Sequence, residues 1–169
     1  EEGIQEQVVS QGRTSSNAWC MRECERHPVV QNLQRRIASV VSVSPLNFEA
    51  FQVLRYRRGE KYDTHHDASP HDLEMPSGTR ILTFFIYLTD VEEGGETFFP
   101  SLQQKVRPQR FAALLWPSVM LDDPNQIDGR YVHAALPVIK GVKRAANTWI
   151  HQRDYTTNNI WGCTGSFSE

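Results

Sequence analysis

The segment from Arg80 to Leu88 (Arg-Ile-Leu-Thr-Phe-Phe-Ile-Tyr-Leu) constrains the fold most. It is β-branched and aromatic, almost continuously apolar, and far too short to cross a bilayer as a helix. Such a run reads as a buried strand, one that must be covered by neighbouring elements. One cover is written earlier in the chain. Val29, Val30, Leu33, Ile37, Val40 and Val41 recur at helical spacing, with Gln34, Arg35 and Arg36 between them. Pro28 suits a first helical position and Pro45 lies just past the end, so the pattern predicts an amphipathic helix packed on a sheet.

The rest of the chain supplies the sheet. Strands are predicted at Phe51 to Tyr56, Glu96 to Phe99, Phe111 to Trp116, Ala134 to Ile139 and Asn147 to Gln152. Pro137 argues for an edge or a strand start in the fourth of these. Glu93-Gly94-Gly95 reads as a turn, residues up to about Asn17 as an extended lead-in, and Ala68 to Gly78 as a long polar loop. Short strands after one helix predict a mainly β fold with supporting α-helices, an antiparallel barrel or jelly roll.

At 169 residues the chain is expected to form a single domain, 1–169, with 154–169 as a C-terminal tail. The formal net charge of −2 gives no electrostatic reason to bind nucleic acid or an anionic membrane. No membrane-spanning segment and no targeting segment is visible. Three cysteines, Cys20, Cys24 and Cys163, allow one bridge and leave one thiol; the pairing stays open, and no Cys-x-x-Cys is present.

The chemistry starts at His65-His66-Asp67. In a strand His65 and Asp67 face the same side and His66 faces away. Taken alone, this pattern is more often a surface loop than a metal site. A jelly roll brings early and late strands side by side, so His133 can join the pair. Two imidazoles and one carboxylate on one face of an ion leave the other face open, as in non-haem Fe(II) oxygenases. Lys143, ten residues after His133 and expected at the far end of the same hairpin, adds a cation. A lysine aimed into an apolar barrel needs an anion, and the far carboxylate of 2-oxoglutarate is one.

Four stretches then share a resemblance. They are Tyr56 to Asp67 (Tyr-Arg-Arg-Gly-Glu-Lys-Tyr-Asp-Thr-His-His-Asp), Tyr87 to Pro100, His133 to Lys143, and Thr148-Trp149-Ile150-His151. In order and spacing they resemble the prolyl 4-hydroxylase family of Fe(II)/2-oxoglutarate-dependent dioxygenases, in its algal and plant-type catalytic domain. The resemblance spans about residues 13–152.

It implies a double-stranded β-helix (jelly-roll) core with Fe(II) on His65, Asp67 and His133. Lys143 would pair with the C5 carboxylate of 2-oxoglutarate, Tyr56 and Thr97 would add hydrogen bonds around it, and Trp149 would pack beside it. Tyr62, Arg80 and His151 match positions lining the peptide groove, and Arg13 to Ser16 a segment that covers the site. The implied reaction consumes O2 and hydroxylates peptidyl proline at C4, coupled to oxidative decarboxylation of 2-oxoglutarate to succinate and CO2. Proline-rich peptides are the implied partners, ascorbate the implied reductant and the endoplasmic reticulum lumen the implied location. Two alternatives stand beside this: an oxygenase of another peptide side chain or a free amino acid, and a non-catalytic jelly-roll binding module. Peptide-dependent succinate release separates the last from the other two.

Overall fold

The computed structural model describes residues 11–157. In chain order the elements are β1 (Ser16–Trp19), α1 (Glu23–Arg26), α2 (Pro28–Val41), β2 (Gln52–Tyr56), β3 (Tyr62–His65), β4 (Arg80–Tyr87), β5 (Glu93–Gly94), β6 (Thr97–Phe99), β7 (Gln104–Val106), β8 (Ala113–Pro117), β9 (His133–Ala135), β10 (Val138–Lys140) and β11 (Lys143–His151). Five strands form the major sheet in the order β1-β2-β11-β4-β8. The minor side is a four-stranded sheet, β3-β9-β6-β7, with a two-stranded pair, β10-β5. Every paired strand is antiparallel.

The inner faces of the sheets pack on each other. Leu54, Tyr56, Phe85, Tyr87, Trp116 and Ala145 from the major sheet meet Phe99 and Val138 from the minor side. This is the jelly roll expected from the strand pattern, and its two-sided core explains why β4 is apolar on both faces. The outer face of β4 and β11 (Ile86, Ala146, Ile150) packs on Ile37 and Ala38 of α2. That helix begins with the His27 ring accepting from the Val29 amide at 3.3 Å. It ends at Ser42, which adopts the left-handed conformation with φ 56°.

Four local expectations need correction. The segment 134–139 is two strands, not one. His133–Ala135 pairs with β3 and β6, whereas Val138–Lys140 pairs with β5. Pro137 has no amide hydrogen to continue a ladder, and the chain changes partners there. Consequently His133 and Lys143 are not on one hairpin; they sit in the minor and major sheets. Gly94 lies within β5 and carries φ 77°, where a Cβ would come 2.4 Å from the Pro137 carbonyl oxygen. Phe111 precedes β8 in a turn with φ 67° and is exposed. The polar loop of 68–78 contains a 3-10 turn at Pro70–Glu74, capped by Ser69. Cys20 pairs with Cys24 and ties α1 to the end of β1; Cys163 and the tail from residue 158 onward lie outside the described residues.

Candidate active site

His65 closes β3 and His133 opens β9, directly opposite each other in the minor sheet. Asp67 is not on a strand: the chain bends after His65 and the carboxylate turns back toward both rings. His65 Nε2 lies 3.8 Å from Asp67 Oδ1, and His133 Nε2 lies 3.7 Å from Asp67 Oδ2. These separations are too long for hydrogen bonds and suit a cation between them. One ligand atom from each residue falls within 4.8 Å of the others, the only such His/Cys/Asp/Glu cluster among the described residues.

The backbone decides which ring nitrogen faces this point. His65 Nδ1 lies 2.8 Å from the Asp63 carbonyl oxygen, and His133 Nδ1 lies 2.9 Å from that of Tyr131. A carbonyl only accepts, so both Nδ1 atoms carry the hydrogen and both Nε2 atoms are the ones turned toward this point. Tyr62 stacks on the His65 ring with centroids 3.7 Å apart, and Trp116 meets the His133 ring edge-on at 4.8 Å. Burial, and then the neighbouring His133, lower the pKa of His65 to about 4, which keeps it neutral and able to ligate. Burial alone would raise the Asp67 carboxyl; His133, a hydrogen bond from Thr83 and His65 outweigh it and hold it ionised.

Lys143 occupies the same cavity from the opposite sheet. It is 0% exposed, and its Nζ donates to the Gly95 carbonyl oxygen at 2.8 Å. Tyr56, Phe85 and Tyr87 surround the ammonium with ring centroids 5.2, 5.4 and 5.6 Å away. No carboxylate among the described residues pairs with it. Burial lowers its pKa to about 7, against a small opposing pull from Glu96. Tyr56 and Thr97 line the cavity beside it, and the Thr97 hydroxyl shares a 2.8 Å hydrogen bond with the Tyr87 hydroxyl. A buried ammonium without an anion is costly, and an anion brought to this corner would offset that cost.

The remaining predicted residues divide. Tyr62 and Trp149 line the cavity, as does Arg13, whose guanidinium lies 4.7 Å over the Tyr62 ring. Arg80 and His151 do not line it. His151 is 2% exposed, with its ring nitrogens facing the Gly78 carbonyl oxygen and Glu49. His66 turns away, as expected, toward the carbonyls of Ala68 and Asp128.

Two residues line the site without having been marked by a motif: Thr83 and Asn147. Asn147 lines the cavity, is 3% exposed, and has a carboxamide oxygen without a hydrogen-bond partner. It lies four residues after Lys143 on β11, so period-two alternation from Lys143 points to it.

Comparison with known proteins agrees with this geometry. Residues 51–151, which hold all of the ligand cluster and Lys143, match the family model described as the 2OG-Fe(II) oxygenase superfamily, 2OG being 2-oxoglutarate. A viral collagen prolyl hydroxylase from Paramecium Bursaria Chlorella virus-1, solved as its 2OG complex, superposes with a TM-score of 0.72 at 32% identity. The match covers 83% of this chain and 80% of the viral one. The chain belongs to the prolyl 4-hydroxylase family.

Relatives in this family include the probable prolyl 4-hydroxylase 9 of Arabidopsis thaliana, 36% identical over 84% of this chain and 54% of the plant protein. The prolyl 4-hydroxylase subunit alpha-2 of Gallus gallus is 34% identical over 86% of this chain and 27% of that subunit. The chain therefore spans about half of the plant relative and about a quarter of the animal subunit. The family's Fe(II), 2-oxoglutarate and O2 fit the donor set found here: two imidazoles, one carboxylate and a buried lysine without an anion. No helix among the described residues is long and apolar enough to cross a membrane.

Proposed function

We propose that this chain hydroxylates peptidyl proline at C4, with oxidative decarboxylation of 2-oxoglutarate to succinate and CO2. The observation that carries this is the pairing of two features in one cavity: the His65–Asp67–His133 cluster and the buried Lys143 amino group, which has no carboxylate partner among the described residues.

In this reading His65 Nε2, His133 Nε2 and Asp67 hold Fe(II), and their carbonyl-bonded Nδ1 atoms keep both rings in the ligating tautomer. When bound, the iron with 2-oxoglutarate supplies the activation of O2. The protein supplies placement. Lys143 donates to the C5 carboxylate, Thr97 and Tyr56 offer hydroxyls beside it, and Phe85 and Trp116 wall the cavity with apolar surface that excludes water. Tyr62 and Trp149 present aromatic faces suited to a proline ring, and an extended polyproline II peptide comes preformed for such a groove. A secretory location is supported by the Cys20–Cys24 disulfide, which suits an oxidising lumen. The part given to ascorbate rests on the resemblance.

The test is a peptide panel (proline-rich peptide, lysyl peptide and free proline) incubated with Fe(II), 2-oxoglutarate and O2, read by mass. A gain of about 16 Da, one oxygen atom, on the proline-rich peptide with matching succinate is expected. Oxygen gained only by the lysyl peptide or free proline contradicts the substrate class. Absence of substrate-dependent succinate across the whole panel contradicts catalysis.

A further inference from the structure

Behind Trp149 lies a buried ion cluster that no motif explained. Glu49, 4% exposed, precedes β2. Arg80 clamps it with two N–H groups: Nε donates to Oε1 at 2.6 Å and Nη2 to Oε2 at 3.1 Å. His151 Nε2 lies 2.8 Å from the same Oε1, and its Nδ1 lies 2.8 Å from the Gly78 carbonyl oxygen. Tyr155 stacks on the His151 ring with centroids 4.5 Å apart. The backbone of Glu49 is fixed as well, its amide donating to the Trp149 carbonyl and its own carbonyl accepting from the Thr148 hydroxyl.

Such a clamp sets the plane of the guanidinium. The Trp149 ring, 4.0 Å from Arg80 Cζ, holds it from the other side. Nη1, which the carboxylate does not use, reaches the backbone carbonyl oxygen of Asp67 at 3.1 Å. Asp67 sits in the bend after β3, outside any ladder. Arg80 therefore gives its carbonyl the partner that a neighbouring strand would otherwise supply.

We infer that Glu49, with His151 and through Arg80, is a positioning residue that fixes the bend carrying the metal-site carboxylate. The inference rests on the reading of Asp67 as a metal ligand. It gives Arg80 and His151 a task in holding this bend, beside the peptide-groove positions that the resemblance implies for them.

The experiment titrates the metal-free chain with Co(II), following the visible absorption of the bound ion, in wild type, Glu49→Gln and Arg80→Lys. Lysine keeps a charge for Glu49 and loses the planar fork. Circular dichroism establishes which variants fold; if Glu49→Gln does not, Arg80→Lys decides alone. The expected result is a Co(II) Kd weakened about 10- to 100-fold with an altered absorption band in a folded variant. An unchanged Kd and band overturn the inference. So does a raised peptide KM with Co(II) binding intact, the signature of a groove role. Prolyl turnover is scored separately. A wild-type chain that binds Co(II) without hydroxylating proline removes the proposed function, and weakened binding in the variants supports the positioning role all the same.

Discussion

The hydroxyl of Thr83 donates to Asp67 Oδ2 at 2.6 Å, so β4 of the major sheet holds the carboxylate that faces two imidazoles of the minor sheet. Thr83 is 1% exposed, and its partner is held ionised. Thr83→Val keeps the shape and removes the donor. The variant is expected to fold and to bind Fe(II) about tenfold more weakly under anaerobic titration. An unaltered Fe(II) Kd contradicts the positioning assigned to this hydroxyl.

Asp67 is the only anion of the ligand cluster. Asp67→Ala is expected to abolish iron-dependent succinate formation while leaving the strands in place, since Asp67 contributes to no ladder. The measurement is succinate release at saturating Fe(II). Turnover near that of wild type rejects the cluster as the iron site.

Lys143 carries a cost that only its anion offsets. Replacing a buried amino group that has no anion with an apolar side chain of similar length removes its desolvation cost. Lys143→Met is therefore expected to raise the Tm of the ligand-free chain while weakening 2-oxoglutarate binding by about 100-fold or more. A lowered Tm together with an unchanged 2-oxoglutarate Kd contradicts the assignment.

The same residue sets a pH dependence. Burial lowers the Lys143 pKa from 10.5 to about 7 in the ligand-free fold. Between those values the unfolded chain binds more protons than the folded one, so this group makes ligand-free stability rise with pH across that window. Binding of 2-oxoglutarate needs the ammonium. Above pH of about 7 binding must take up a proton, and affinity falls by up to about tenfold per pH unit. Calorimetry in two buffers of different ionisation enthalpy measures that uptake at pH 8; no proton uptake contradicts the value given to Lys143.

Much of this site was legible because its chemistry is concentrated in short motifs. His65, Asp67, His133 and Lys143 meet in one cavity, and Tyr56, Tyr62, Thr97 and Trp149 join them there. What was not legible is how the chain routes them. The apolar run 134–139 looks like a single strand, because periodicity does not record a change of partner; Pro137 makes that change. Asp67 was placed on a strand by its two-residue spacing from His65, whereas the chain bends to bring it inward. Glu49 belongs to no motif. Its role depends on Arg80, 31 residues away, and on His151, 102 residues away, and a single sequence does not couple positions at that distance. His151 matches a groove position by resemblance, and its buried ring faces Glu49 and the Gly78 carbonyl, partners that no motif names.

The central claim is that one Fe(II) and one 2-oxoglutarate share the cavity between the two sheets. Anomalous diffraction at the iron edge, from crystals loaded anaerobically with both, tests it most directly. The account predicts iron at about 2.0–2.2 Å from His65 Nε2, His133 Nε2 and an Asp67 oxygen, with a carboxylate of the cosubstrate on Lys143 Nζ. Iron located away from those three atoms, or a cosubstrate that leaves Lys143 without an anion, contradicts it.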